Sequence, residues 1–312
     1  MANKAKLYLL TGFLGAGKTT FLTKVLEDDL EGKKVAVIMN EFGKVGIDGT
    51  IIQKEGMELV ELNRGSIFCS CLQLSFVSAL TEIADRDMDY VFVESSGLAD
   101  PSNIAEILEA VKVAKGDAYD YSGAITIVDA VNFLSQLEED IETVRRQLKF
   151  CHLAIISKVD LIDDEKKKKV IEKIKEINDK VDIIESINGN IDYDFLEKDL
   201  MKNDWAESEE TTNSPENKPK SLTLTYDKDI TKEGLTEFIN RIKDDSYRIK
   251  GFFKLEDGWN QVDVVGDIID YKPTDKGEET SELVIISKIG AQIIRPIFSA
   301  WEEVIGKTMK LR

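Results

Sequence analysis

Histidine and cysteine are nearly missing from this 312-residue chain, which has one histidine, His152, and three cysteines, Cys69, Cys71 and Cys151. An odd and small thiol count argues against a disulfide framework. Positive charge is also in short supply, with 41 Lys and Arg against 59 Asp and Glu and a formal net charge of −18. That balance excludes general nucleic-acid binding, because a phosphate backbone would be repelled. The acidic excess reads most simply as a solubilising surface. Long apolar runs are lacking too, and none approaches the ~18–20 residues of a membrane span. The first apolar strand begins within about six residues, which leaves no room for a signal peptide. The expectation is a cytoplasmic protein with no membrane and no nucleic-acid partner.

The length suggests about two domains, and a hydrophobic content of 42% is enough for sizeable cores. Val- and Ile-rich runs at 6–10, 35–39, 59–62, 90–94, 123–128, 153–157 and 182–186 read as strands. Helical patterns lie between them near 18–29, 72–85, 102–114, 130–149, 164–179 and 192–202. Strands apolar on both faces and separated by helices predict an α/β fold, a mostly parallel sheet flanked by helices. The polar, acidic stretch Glu207-Ser208-Glu209-Glu210 through Pro215 breaks this rhythm and reads as a linker. Beyond it, 221–226 alternates, and 248–255, 259–265 and 283–286 look extended. Helices are expected at 232–242 and 292–304, the second limited in regularity by Pro296. The division is a P-loop domain at 1–203, a linker at 204–220 and a small α+β domain at 221–312.

One motif dominates. Gly12, Gly17, Lys18 and Thr19 fit G-x-x-x-x-G-K-[ST], between the apolar run Leu7-Tyr8-Leu9-Leu10 and the helical start Phe21-Leu22. Strand, glycine-rich turn and helix N-terminus in that order make a phosphate-binding P-loop. Main-chain N–H groups from Gly12, Gly15, Ala16 and Gly17 turn inward around an anion, and the helix dipole adds positive charge. Lys18 reaches the β- and γ-phosphates, the Thr19 hydroxyl holds Mg²⁺, and Thr20 follows at the helix start. A second Mg²⁺ ligand is expected from Glu94, carried to the sheet edge by Tyr90-Val91-Phe92-Val93. Gly97 then lets the backbone approach the γ-phosphate. Ser157-Lys158-Val159-Asp160, at another strand end, is close to the N/T-K-x-D element that selects guanine. Asp160 would accept from the guanine N1–H and N2 amino group. Adenine would leave it unsatisfied at a cost of a few kcal/mol. The Lys158 stem would lie along the base, and Ser157 replaces the commoner Asn.

These elements together, with ESSGLADP at 94–101 and NEFGKVGIDG at 40–49, resemble the CobW family, metal-handling GTPases related to the hydrogenase and urease nickel-insertion GTPases. Arg248-Ile249-Lys250-Gly251-Phe252 resembles the R-x-K-G-F/W element of the CobW C-terminal domain. The resemblance spans nearly the whole chain apart from the linker. It implies a GTPase using GTP and Mg²⁺, whose nucleotide state is coupled to delivery of zinc or cobalt to a client metalloprotein. It also implies that residues 40–49 act as a switch, with Asp48 near the nucleotide; Asp48 and Glu41 are the candidates for orienting water. Turnover is expected to be slow, since no arginine finger is evident near the P-loop. A monomer and a homodimer both stay open.

The chain departs from that family at its metal motif. The family carries C-x-C-C after a glycine; here the segment is Gly65-Ser66-Ile67-Phe68-Cys69-Ser70-Cys71. Two cysteines have become Ser66 and Phe68, Cys69 remains, and Cys71 is extra. Cys69 and Cys71 with Glu41 form a candidate but incomplete transition-metal set, which water or a partner chain could complete. They read equally as two small residues in a degenerate loop. His152 reads as a helix-end or strand-start residue, and the linker has no histidine-rich tract. Two functions stand side by side: a GTP-dependent metallochaperone, or a GTP-driven activator of a cofactor-dependent, corrinoid-type partner that carries no metal. An ATP-using kinase or ligase fits the SKxD element poorly.

Overall fold

Alternation of Val/Ile runs with amphipathic stretches is realised as a seven-stranded, wholly parallel sheet. The computed structural model describes residues 4–28, 30, 32–41, 57–63, 73–139, 142–188, 190–191, 193–196, 198, 200–203, 220–275 and 280–312. The strands are β1 (Ala5–Thr11), β2 (Val35–Glu41), β3 (Met57–Asn63), β4 (Tyr90–Glu94), β5 (Tyr119–Asp129), β6 (Leu153–Ser157) and β7 (Asp182–Glu185), in spatial order β3-β2-β4-β1-β5-β6-β7. Helices α1 (Lys18–Asp28), α2 (Gln73–Ile83), α3 (Ile104–Lys115), α4 (Phe133–Glu138), α5 (Glu142–Lys149) and α6 (Asp164–Ile177) connect them. β1 lies in the middle, and the chain leaves it first toward β2 and later toward β5. Ligands of such sheets bind outside the strand C-termini, where the winding reverses.

Side chains two apart on a strand share a face, so each central strand feeds two cores. Tyr8 and Leu10 of β1 join Phe92, Val37 and Ile125 on one face, where Phe21, Leu22 and Val25 of α1 close over them. Leu7 and Leu9 join Val91, Val93 and Ile38 on the other, under Phe76 and Leu80 of α2 and Ile107 of α3. The helix expected at 130–149 is two helices, α4 and α5. The helix expected at 192–202 is instead two 3₁₀ turns, Asp194–Leu196 and Leu200–Asn203. Tyr193 and Phe195, two apart, both bury into the α1-side core, a spacing an α-helix does not place on one face.

Chain contacts divide the molecule into two compact units, Met1–Asn217 and Lys218–Arg312. Apart from Lys220, the linker expected at 204–220 lies outside the described residues. The second unit is a six-stranded antiparallel sheet ordered β11-β10-β9-β12-β8-β13. Its strands are β8 (Ser221–Tyr226), β9 (Ser246–Leu255), β10 (Gly258–Val265), β11 (Ile268–Pro273), β12 (Ser281–Ser287) and β13 (Lys310–Leu311). Helices α7 (Lys232–Ile242) and α8 (Ile294–Val304) pack on one face through Leu235, Phe238 and Trp301, whose ring meets those of Tyr226 and Phe238 edge-on at 5.1 and 5.0 Å. Pro296 does not disturb α8, because it falls in the first turn, where no intrahelical N–H is needed. The β11 arm and β13 carry no strong alternation and were not anticipated.

On this sheet Arg248 of the R-x-K-G-F element grips Asp263 across β9 and β10, Nε and Nη2 lying 2.9 and 2.8 Å from the two carboxylate oxygens. Burial works to raise the Asp263 carboxyl. The Arg248 charge and hydrogen bonds, aided by Lys250 and Lys272, outweigh it and hold the group below its ordinary value. Asp270, its cross-strand neighbour on β11, is itself paired with Lys272 at 3.2 Å. A lowered folded-state pKa gives stability that is present above the unfolded value and lost as pH falls through the folded one. Asp263→Asn should therefore cost about 2 kcal/mol at neutral pH. Chemical denaturation should find that difference shrinking below about pH 4; a penalty unchanged at acid pH would contradict the assignment.

Candidate nucleotide site

β1 ends at Thr11 and α1 begins at Lys18, so residues 12–17 must reverse the chain in a single tight loop. Gly12, Gly15 and Gly17 take φ of 136°, 74° and 101°, a region L side chains avoid. At Gly12 space is a second constraint: a Cβ would sit 2.4 Å from the Ile127 carbonyl oxygen. The Ala16 N–H closes the turn on the Phe13 carbonyl at 3.1 Å. No acidic residue occupies the first turn of α1, so the positive end of the helix is left to a ligand. Lys18 is buried, its ammonium donating to the carbonyls of Gly12 (2.8 Å) and Phe13 (3.3 Å). Thr19 is half-buried and Thr20 exposed.

The next strand, β4, delivers its last residue to the same place. Glu94 is 7% exposed, and its Oε1 accepts from the Thr19 hydroxyl at 3.3 Å. Ser95 binds the loop after β4 to β1, its N–H and Oγ both donating to the Leu10 carbonyl at 2.9 and 3.1 Å. Gly97 rests on the P-loop backbone so closely that a Cβ would lie 2.6 Å from Leu14 N. Beside it, Ser96 Oγ is buried with no hydrogen-bond partner among the described residues. A hydroxyl and a carboxylate side by side, under a loop that only glycine can make, are the hard oxygen donors that suit Mg²⁺ on a phosphate. The residues present fit that group.

The end of β6 is fastened to the same loop. Ser157 Oγ, bonded at 2.7 Å to the Ala16 carbonyl and at 3.2 Å to that of Val128, buries where Asn is commoner. Lys158 is left-handed (φ 59°, ψ 31°), and its ammonium reaches the Gly15 carbonyl (2.9 Å) and Asp129 Oδ2 (2.7 Å). Asp160 is exposed on the following single turn. Asp129 is the residue that motif reading missed. Buried at the end of β5, it accepts from the Val131 N–H (2.9 Å), the Asn132 side chain (2.9 Å) and Lys158. The available signal was an acidic residue closing an apolar strand, the same pattern that identifies Glu94.

Asp48, Cys69 and Cys71 lie outside the described residues. Glu41 ends β2, pairing with Asn63, but its side chain is outside them too. Among the described residues no group of three or more His, Cys, Asp and Glu could hold a metal ion, and no helix is long and apolar enough to cross a membrane. Cys151 is buried, and burial pushes its thiol up to about 12. His152 precedes β6 and is built into the fold: its Nδ1 accepts the Ala124 N–H at 3.0 Å and its ring meets Tyr121 edge-on.

Two family models match the chain. That of the CobW/HypB/UreG nucleotide-binding domain covers residues 6–185, and that of the cobalamin synthesis protein cobW C-terminal domain covers residues 220–300. The zinc chaperone CobW of Sinorhizobium sp is 30% identical over 223 residues, 61% of this chain and 62% of that protein. The zinc chaperone YjiA of Escherichia coli is 31% identical over 200 residues, 62% of this chain and 61% of that protein. The zinc-regulated GTPase metalloprotein activator 1 of Schizosaccharomyces pombe is 31% identical over 206 residues, 63% of this chain and 49% of that protein. The chain thus spans 61–62% of the length of the first two relatives and 49% of the third.

The two close approaches give a direct check. Gly97→Ala drives a methyl into the Leu14 backbone, and Gly12→Ala drives one into the Ile127 carbonyl. Each should lower nucleotide affinity by at least about tenfold, the effect of losing 1.4 kcal/mol of binding. Calorimetric titration measures this; parent-like affinity in both would mean that the loops have room to spare.

Proposed function

This chain belongs to the CobW/HypB/UreG family, carrying its nucleotide-binding domain and the CobW C-terminal domain, and on that footing we propose that it is a Mg²⁺-dependent GTPase coupling nucleotide state to transition-metal carriage. The observation that carries this reading is the junction of Thr19 with Glu94 beneath a glycine-built loop, against which the Ser157–Lys158 strand end is bonded. Lys18 exchanges its two carbonyl partners for the β- and γ-phosphate oxygens. The loop amides and the Gly97 N–H receive negative charge as it develops on the phosphates. Thr19 and Glu94 would hold Mg²⁺, which would supply charge neutralisation at the phosphate oxygens. Asp160 accepts the two donors of guanine, and Asp129 with the Gly15 carbonyl holds the Lys158 ammonium so that its stem lies along the base. Asp48 and Glu41 stay the candidates for orienting water, and hydrolysis by the chain alone is slow.

The metal cargo is zinc or cobalt, zinc being the metal in the names of all three relatives. Cys69, Cys71 and Glu41 are its proposed ligands. The name "metalloprotein activator" borne by one relative supports a client metalloprotein as the recipient. A second reading, an activator without cargo, rests on one observation: Ser66 and Phe68 stand where thiolates would be needed. The division into a GTPase domain at 1–203, a linker at 204–220 and a C-terminal domain at 221–312 is part of the proposal.

Lys18→Ala should abolish tight Mg·GTP binding and turnover, whereas Asp160→Ala should weaken GTP by about tenfold or more and ATP hardly at all. Competition binding decides; equal losses for both nucleotides would remove guanine selection by Asp160. For the cargo, the expected result is one Zn²⁺ or Co²⁺ bound per chain, lost in Cys69→Ser/Cys71→Ser. The buried Cys151 thiol should stay unreactive toward thiol reagents throughout, so it offers no competing ligand. A parent chain that binds no metal would favour the activator.

A further inference from the structure

The loop after β4 is held from behind by a helix that no motif marks. Gln147 and Arg146 are adjacent on α5, 1% and 9% exposed. The Gln147 amide donates to the carbonyls of Ala99 (3.0 Å) and Gly97 (3.3 Å), and Arg146 Nε donates to Asp100 Oδ2 at 2.7 Å. Asp100 is fully buried, and its other oxygen accepts the Ser102 N–H at 3.0 Å. The Gln147 carbonyl in turn accepts from Thr126 Oγ1 at 3.0 Å, and Thr126 bonds Thr11 at the root of the P-loop at 2.7 Å. Gly97 itself sits on Leu14 of that loop. A continuous polar chain therefore runs from the P-loop root through α5 to the peptide unit of Gly97.

We infer that Gln147 and Arg146 are positioning residues that set Gly97 for the terminal phosphate, and so decide how well the site separates tri- from diphosphate. This rests on the nucleotide reading above. A diphosphate ends within reach of the P-loop amides and Lys18, and only the third phosphate extends to the loop after β4. Gln147, Asp100 and Arg146 are all buried residues, so a half-made arrangement leaves unsatisfied groups at about 1–3 kcal/mol each. The loop is therefore held in one place and not in a continuum of places. A diphosphate gains nothing from that order; a triphosphate does.

The test compares Mg·GDP with a Mg·GTP analogue resistant to hydrolysis, titrated into the full-length parent, Gln147→Met and Asp100→Asn. Methionine keeps the volume of Gln147 without its donor; asparagine removes the charge that anchors Arg146. The clamp predicts affinity for the GTP analogue at least about tenfold weaker in both variants, as expected for loss of two hydrogen bonds in Gln147→Met and of the charge-assisted Arg146 bond in Asp100→Asn. GDP affinity should stay within about twofold of the parent, which also reports that the variants are folded. A GTP-to-GDP ratio equal to the parent's, whether both nucleotides bind normally or both weaken together, overturns the clamp alone. A parent that binds neither guanine nucleotide overturns the nucleotide reading and the clamp with it.

Discussion

Approach of one chain segment to another so close that only glycine permits it is the constraint on which the site depends. Gly12 against the Ile127 carbonyl joins the P-loop to β5, and Gly97 against Leu14 joins it to the loop after β4. Contacts this close leave no play. A P-loop so placed has its amides aimed before any ligand arrives, which is what electrostatic preorganisation requires. From the far side β6 reaches in through Ser157 and Lys158, which bond the carbonyls of Ala16 and Gly15. One short loop is thus fixed from several strand ends at once, and each of those ends carries a polar or charged side chain.

Two ion pairs with buried carboxylates lie behind this arrangement, Asp129 with the part-exposed Lys158 and Asp100 with Arg146. Buried pairs contribute little to stability, because desolvation cancels most of the attraction. Their value lies in direction: a buried carboxylate with several donors admits one geometry for the residue that holds it. Asp129 fixes the amine of a lysine that would otherwise sweep a wide volume, and Asp100 fixes a loop. Both are reached from elements outside the recognisable motifs, β5 and α5.

What could be read in the residues follows from how local the signal is. The P-loop is contiguous and its glycines, lysine and threonine are required in fixed order, so it is legible without a structure. The parallel sheet is legible because its strands are apolar on both faces. Asp129, Arg146 and Gln147 are invisible by the same logic, since an acid at a strand end or a polar residue on a helix has no partner until the fold supplies one. The turns at 194–196 and 200–203 misread as a helix because two aromatic anchors in a charged stretch have no clear period. The expected switch and thiol residues, Asp48, Cys69 and Cys71, fall outside the described residues, and their roles rest on the family and the motif alone.

The central position of β1 has a consequence for how the chain is made. Its neighbours, β4 and β5, both come much later in sequence, with Leu10 pairing to Glu94 and to Ile125. During synthesis β1 has neither flanking strand until the chain has passed Glu94, and it lacks the second until Asp129 has been made. Non-local parallel pairing of this kind folds slowly and leaves apolar edges exposed meanwhile. The nascent segment carrying Leu7, Leu9 and Leu10 therefore stands to gain from chaperone shelter during translation.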